Sequence, residues 1–286
     1  MTVREALTRA REILVANSIG DSALESELLL RHTLKASRAQ LYLDYERELG
    51  TEAERAFWGL IERRLSSEPT AYITRHREFY GLDFHVDGNV LIPRPETELL
   101  VEQALELAGK RVISTMADVG TGCGAIAVSL AMSLPQARVY ATDISAAALE
   151  VALSNCQKHG VADRVRLLVG DMLDPLPEPV DLMVANLPYV RESELSLVNT
   201  LDFEPSLALN GGSDGLEKIR RLSAQAVNKL RPGGCLLLEI GHGQRKAVTT
   251  LLHSLFPAAG LEITADLAGI DRVVSLILPS GERGGV

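Results

Sequence analysis

Cysteine is scarce in this 286-residue chain: Cys123, Cys156 and Cys235 are odd in number and far apart. They form no CxxC pair and no zinc-ligand spacing. That excludes a disulfide scaffold and a cysteine-built zinc module, and it suggests a reducing compartment. Long apolar runs are missing too. No stretch approaches the roughly 20 residues that span a bilayer. Residues 1–18 (MTVREALTRAREILVANS) are amphipathic and charged, without the apolar core of a secretory signal. A soluble, cytoplasmic protein without membrane partners is expected. Basic charge is in deficit, with 29 Lys and Arg against 38 Asp and Glu for a net charge of −9. Acidic residues outnumber basic ones both in 1–80 and beyond. A protein held on nucleic acid by bulk charge has the opposite sign, so direct nucleic-acid binding is not expected.

Several catalytic signatures are absent as well. There is no GxSxG, no HExxH and no paired Cys/His array, and no metal site is expected. The six histidines are scattered and read as structural or exposed; His242, in Ile240-Gly241-His242-Gly243 after a predicted strand, is the one candidate among them. Asp171 with Asp174, and Glu96 with Glu98, read as loop and first-turn helix acids rather than acid–base pairs. No internal repeat is present.

What remains is an ordinary globular composition, 46% hydrophobic and 23% charged, at a length that suits one large domain or two unequal ones. Residues 1–68 carry helical periodicity only, through Leu7, Ala10, Ile13 and Leu14, and then Leu24, Leu28 and Leu29. Asp21 and Ser22 predict a helix start with Glu25 as capping-box partner, and another helix is predicted over Glu52–Leu65. Residues 72–92 alternate around Gly81 and Asp87-Gly88, a hairpin pattern. Pro93-Arg94-Pro95 then opens a helix from about Glu96 to Ala108. Beyond residue 112 strands are predicted at Ser114–Val119, Arg138–Thr142, Val165–Val169, Asp181–Ala185, Cys235–Ile240, Gly260–Asp266 and Val273–Leu278. Helices fall between most of them, at Ala125–Ser133, Ala146–His159 and Gly215–Leu230. Such alternation predicts a doubly wound, mainly parallel sheet, with the last two strands as an antiparallel edge. The organisation expected is a helical domain (1–70), a β-hairpin linker (71–92) and an α/β domain (93–286).

Two segments carry chemistry. The loop Asp118-Val119-Gly120-Thr121-Gly122-Cys123-Gly124 lies between a predicted strand and helix, where glycines let the backbone turn sharply and approach a ligand. Asp143 ends the next strand, placed to accept hydrogen bonds from ribose hydroxyls; it also suits a helix N-cap beside Ser145. A P-loop would need Lys-Ser/Thr where Ala125-Ile126 stands. A nicotinamide site would want GxGxxG with Ala125 as the third small residue. GxGxG after an acid fits S-adenosylmethionine better. The second segment is Asn186-Leu187-Pro188-Tyr189, after the strand Asp181–Ala185. Asn offers an acceptor and a donor, Pro fixes the turn and Tyr offers a flat face. Such a set can hold a planar NH2 group, its two protons accepted by the Asn186 side-chain oxygen and the Leu187 carbonyl. The same residues would also serve as a plain Asn-Pro turn with a packed Tyr.

Over nearly its whole length the chain resembles the HemK/PrmC family, the release-factor glutamine methyltransferases. The resemblance rests on Leu91-Ile92-Pro93-Arg94-Pro95-Glu96-Thr97-Glu98, the loop Asp118–Gly124, Asp143, Asn186–Tyr189, Phe203-Glu204-Pro205 and Gly211-Gly212-Ser213-Asp214-Gly215-Leu216. It implies a seven-stranded, Rossmann-like class I methyltransferase domain behind a small all-helical N-terminal domain and a hairpin. The reaction implied is methyl transfer from S-adenosylmethionine, leaving S-adenosylhomocysteine, to the side-chain amide nitrogen of the Gly-Gly-Gln glutamine of peptide chain release factors. Gly120, Thr121, Gly122, Cys123 and Gly124 would line the methionine part of the cofactor, Asp143 its ribose, and Asp171 and Met172 its adenine. Asn186, Leu187, Pro188 and Tyr189 would hold the substrate glutamine and carry catalysis, with Asn186 also at the cofactor's edge. Arg94, Thr97 and Glu204 sit in family motifs near the site, Arg94 and Glu204 as substrate contacts, and the N-terminal domain would dock the release factor. Where the family has Asn-Pro-Pro-Tyr, this chain has Leu187. Asn-Leu-Pro-Tyr also occurs in adenine-N6 methyltransferases acting on RNA, and ribosomal-protein glutamine methyltransferases are near relatives; the flanking motifs and the acidic charge favour the release-factor glutamine.

Overall fold

A computed structural model describes residues 1–195 and 203–280. The chain divides into two compact units, Met1–His76 and Arg77–Val286.

The first unit is helical throughout: α1 (Val3–Ala16), α2 (Ser22–Leu34), α3 (Arg38–Leu43), α4 (Thr51–Leu65) and the single turn α5 (Thr70–Thr74). Its core joins Val3, Ala6, Ala10 and Leu14 of α1 to Leu29, Leu30, Leu41, Phe57 and Ile61. The buried face of α2 differs from the predicted one. Ser22, Ser26, Leu29 and Leu30 point inward while Leu24 is 49% exposed. The capping box is also elsewhere: Thr2 and Glu5 cap α1 reciprocally. Asp21 makes no side-chain cap, and Glu25 instead pairs with Arg64 and accepts from Thr70 Oγ1 at 3.0 Å.

A hairpin begins at the last residue of the first unit and otherwise opens the second: β1 (His76–Phe79) and β2 (Leu82–His85), turned at Tyr80-Gly81, both at positive φ. The hairpin is shorter than predicted, because Tyr72–Thr74 belong to the helical turn behind Pro69 and residues 86–92 are loop. After a 3-10 turn (Pro95–Thr97) come α6 (Glu98–Lys110), β3 (Thr115–Val119), α7 (Ala125–Ser133), β4 (Arg138–Asp143), α8 (Ala146–Lys158), β5 (Val165–Val169) and β6 (Val180–Ala185). The short α9 (Glu192–Leu195), α10 (Glu217–Lys229), β7 (Leu230–Glu239), α11 (Arg245–Leu255), β8 (Gly260–Ala265) and β9 (Asp271–Ile277) complete it.

The seven strands after the hairpin form one sheet in the order β5-β4-β3-β6-β7-β9-β8. All neighbours are parallel except those of β9, which runs antiparallel to both β7 and β8. The last two strands do pair antiparallel, but β9 is inserted between β7 and β8, so at that end of the sheet β8 alone is the edge. Strand β7 starts at Leu230, ahead of the Pro232-Gly233-Gly234 breaker, and a register shift against β6 absorbs the irregular residues. Helix α7 is apolar nearly all round, with Ala125–Ala131 buried, as befits a helix covered on several sides.

Candidate active site

The chain order reverses between β3 and β6: β4 and β5 lie on one side of β3, β6 and β7 on the other. Open α/β sheets bind ligands outside the carboxyl ends of their strands at such a switch point. There a cleft of about 190 Å³ opens, lined by Gly120 and Gly122 after β3, Asp143–Ser145 after β4, Asp171 and Met172 after β5, and Asn186–Pro188 after β6. Asn89–Leu91 from the loop behind the hairpin, Pro205, Leu207 and Ala208, and Lys218 and Arg221 of α10 complete its walls.

The Gly-rich loop is held from beneath. Gly120 and Thr121 donate backbone N–H bonds to the Thr142 carbonyl, both 2.9 Å. Buried Asp118 accepts from Thr121 Oγ1 at 2.6 Å and from the Ala127 amide at 3.0 Å. Burial pushes its carboxyl up to about 7, with Asp143 adding to the rise. Asp143 ties two loops together, accepting from the Gly122 amide on Oδ2 and the Ser145 amide on Oδ1, each 2.9 Å. Ser145, not Asp143, is the N-cap of α8, accepting from the Ala148 amide.

Asn186 stands at the end of β6 with its amide fixed. Its Nδ2 donates to Thr97 Oγ1 at 2.9 Å, and Thr97 Oγ1 donates to Glu239 Oε2 at 2.7 Å. Glu239 is the last residue of β7 and 1% exposed. Burial pushes its carboxyl up to about 7, against the hydrogen bond from Thr97 and the charge of Arg272. With the nitrogen end committed, Oδ1 is the end of the amide left for the cleft. Tyr189 is mostly buried beside Glu239, and that burial pushes its phenol up to about 12. Its backbone carbonyl accepts from Gln244 Nε2 at 3.3 Å.

Three anticipated site residues lie in the loop rather than on the cleft wall. Thr121, Cys123 and Gly124 support it from behind; burial pushes the Cys123 thiol up to about 12, which removes it as a nucleophile. Arg94 and Glu204, far apart in sequence, pair with each other: Arg94 Nη2 donates to Glu204 Oε2 at 2.6 Å, and the Ile92 amide donates to Oε1 at 3.2 Å. Asp171 pairs with Arg221 across the cleft wall. His242 is exposed and off the wall; its neighbour Gln244 does the structural work, bonding Gly241, Tyr189 and Gly215. Among the described residues no cluster of His, Cys, Asp or Glu could hold a metal, and no helix is long and apolar enough to cross a membrane.

Comparison with known proteins decides the family. Residues 5–74 match the PrmC N-terminal domain and residues 95–203 the methyltransferase small domain. The release factor glutamine methyltransferase of Moorella thermoacetica is 46% identical over 95% of this chain and 97% of its own. That of Koribacter versatilis is 41% identical over 96% and 98%. The chain belongs to the release factor glutamine methyltransferase family. It is a methyltransferase, and its fold accords with that: a methyltransferase from Pyrococcus furiosus, 16% identical, superposes with a TM-score of 0.52 over 76% of this chain and 97% of that one.

Four features of the methyltransferase's site escape a motif search. Glu239 is the single charge in the apolar run Cys235–Ile240, and an acid at a strand's carboxyl end was the available signal. Asn155, fully buried on α8, accepts from the His85 amide at 2.8 Å and donates to the carbonyls of His85 and Cys123, both 2.9 Å. It pins hairpin to loop, with no local pattern to announce it. Lys218 and Arg221 are two cations on a polar helix face. Met172 holds φ +51 within the cleft wall, a left-handed conformation invisible in sequence.

Proposed function

We propose that this methyltransferase moves a methyl group from S-adenosylmethionine to the side-chain amide nitrogen, N5, of the glutamine in the Gly-Gly-Gln motif of peptide chain release factors, in the cytoplasm, leaving S-adenosylhomocysteine. The observation that carries the proposal is the Asn186 amide, pinned through its nitrogen so that an acceptor oxygen is left for the cleft. The relatives named for release factor glutamine methylation support the substrate.

The residues fit this cofactor. Gly122 sits at φ +54, and a Cβ built on it meets nothing within 4 Å, so the loop leaves open space where a ligand would lie. Gly120, Thr121, Gly122, Cys123 and Gly124 form the turn along its methionine part. Asp143 offers its carboxylate to the ribose. Asp171 and Met172, with Ile144, make the half-apolar end that suits adenine. When bound, the sulfonium supplies an electrophilic methyl group.

An amide nitrogen is a weak nucleophile because its lone pair is shared with the carbonyl. The protein's part is therefore positioning and electrostatics. Asn186 Oδ1 and the Leu187 carbonyl accept hydrogen bonds from the two amide N–H groups and aim the nitrogen, and one of those protons leaves to solvent once the methyl group is on nitrogen. As positive charge grows on nitrogen both hydrogen bonds strengthen, which favours the transition state over the ground state. Leu187 in place of Pro keeps this acceptor, because the acceptor is backbone. Pro188 stiffens the loop, and Tyr189, off the cleft wall, packs behind it against Glu239. The Arg94–Glu204 pair, off the cleft wall, fixes the chain at Ile92 beside it, and residues 1–70 dock the release factor. Replacing Asn186→Ala should cut turnover on a release factor by about 10²–10³-fold with cofactor affinity, read by calorimetry, nearly unchanged. An equal loss of both would contradict this role.

A further inference from the structure

Asn186 can serve as an acceptor only if its amide keeps one of two orientations, and the side chain alone does not choose. The choice is made behind it. A carboxylate accepts and cannot donate. While Glu239 is ionised, the Thr97–Glu239 hydrogen bond of 2.7 Å therefore takes the only hydroxyl proton Thr97 has. Thr97 Oγ1 then has only lone pairs to offer, and the group 2.9 Å away must be the NH2 end of Asn186. Thr97 and Glu239 are 4% and 1% exposed, so water cannot substitute for either partner.

We propose that Glu239, acting through the Thr97 hydroxyl, is the positioning residue that holds Asn186 Oδ1 toward the substrate amide. This rests on the glutamine reading of the site. Neither residue touches substrate. If Glu239 takes up a proton on Oε2, it donates to Thr97, the hydroxyl turns, and Thr97 can donate to Asn186 Oδ1. The amide then rotates and presents N–H groups to the substrate NH2, donor against donor. The groups facing Glu239 are Thr97 and Tyr189 by hydrogen bond, Arg272 from β9, whose charge favours the carboxylate, and Glu96 ahead of α6, whose charge opposes it. Burial outweighs Arg272, which places the proton exchange near neutrality.

The test uses the full chain with Thr97→Val, which keeps shape and removes the hydroxyl, and Thr97→Ser, which restores it. Thr97→Val should lower kcat on a release factor by about tenfold or more with the KM for S-adenosylmethionine unchanged, and Thr97→Ser should recover most of it. Wild-type kcat should fall as Glu239 protonates, and Thr97→Val should lack that limb. In the protein without ligands, the Asn186 side-chain amide resonances should move through the same titration in wild type and stay still in Thr97→Val. If Thr97→Val does not fold, Glu239→Gln takes its place and should also hold those resonances still. Wild-type kcat in Thr97→Val, an acid limb it shares with wild type, or resonances that titrate alike in wild type and variant would each overturn the proposal. Failure of the wild type to methylate a release factor would instead sink the substrate reading, while the resonances still decide the relay.

Discussion

Gly122 and Gly124 stand two residues apart with positive φ, yet they answer to different constraints. A Cβ at Gly122 would enter open cleft, whereas one at Gly124 would meet Ala152 Cβ at 3.3 Å, where α7 and α8 pack. Both substitutions carry the left-handed cost of about 1–2 kcal/mol. Gly124→Ala adds a tight contact with Ala152 and should show mainly as lost stability in urea. Gly122→Ala should lose only the conformational term, but its methyl would occupy ligand space and weaken S-adenosylmethionine binding by tenfold or more, about 1.4 kcal/mol. Calorimetry and denaturation on the two variants separate the roles; equal cofactor affinity in Gly122→Ala and wild type would contradict the placement. Cys123 between them is a packing residue: buried, its thiol pushed up to about 12, it should resist alkylation until the protein unfolds.

The hairpin, the Gly-rich loop and α8 are held together by Asn155, whose side chain makes three buried hydrogen bonds. Asn155→Leu would strand the His85 and Cys123 groups and should cost about 2–4 kcal/mol, with faster hydrogen exchange in β2 and the loop. Unchanged exchange there would mean the hairpin is held by other contacts, such as the Phe84–His159 packing at 5.2 Å. This contact marks the limit of sequence legibility. Strands with period-2 or continuous apolar patterns were readable to within a few residues, and so were loops written in glycine, because local chain chemistry dictates both. Asp143 at the end of β4 and Asn186 just after β6 were readable as cleft-lining positions, because strand ends at a switch point border the crevice. Asn155 and Glu239 were not, because their partners lie 70 and 142 residues away. Insertion of β9 between β7 and β8 was likewise settled by packing across the sheet, not by local pattern. Helical spacing assigned Leu24 to the core, whereas it is exposed and α2 buries Ser22 and Ser26 beside Leu29 and Leu30.

Across the whole molecule, acidity is the rule, and two of its carboxylates are buried against their preference. Glu239 is raised from 4.5 to about 7, and Asp118 from 3.8 to about 7, each chiefly by burial. A group with a raised folded value binds a proton that the unfolded chain has already released. Stability from these two therefore falls as pH climbs from the ordinary carboxylate range to about 7, and stays lowered above it. Glu239→Gln removes one of them. Its stability relative to wild type should rise between about pH 5 and about pH 8 in urea titrations; a constant or falling difference would show that Glu239 titrates normally.

The central claim is the transfer itself. A purified release factor and a copy with its Gly-Gly-Gln glutamine replaced by alanine would be incubated with the protein and S-adenosylmethionine carrying a labelled methyl group. The account predicts label on the first and none on the second. Label on both would place the methyl group elsewhere on the release factor. Label on neither, with cofactor binding demonstrated by calorimetry, would contradict the assignment and direct the search to ribosomal protein and RNA substrates.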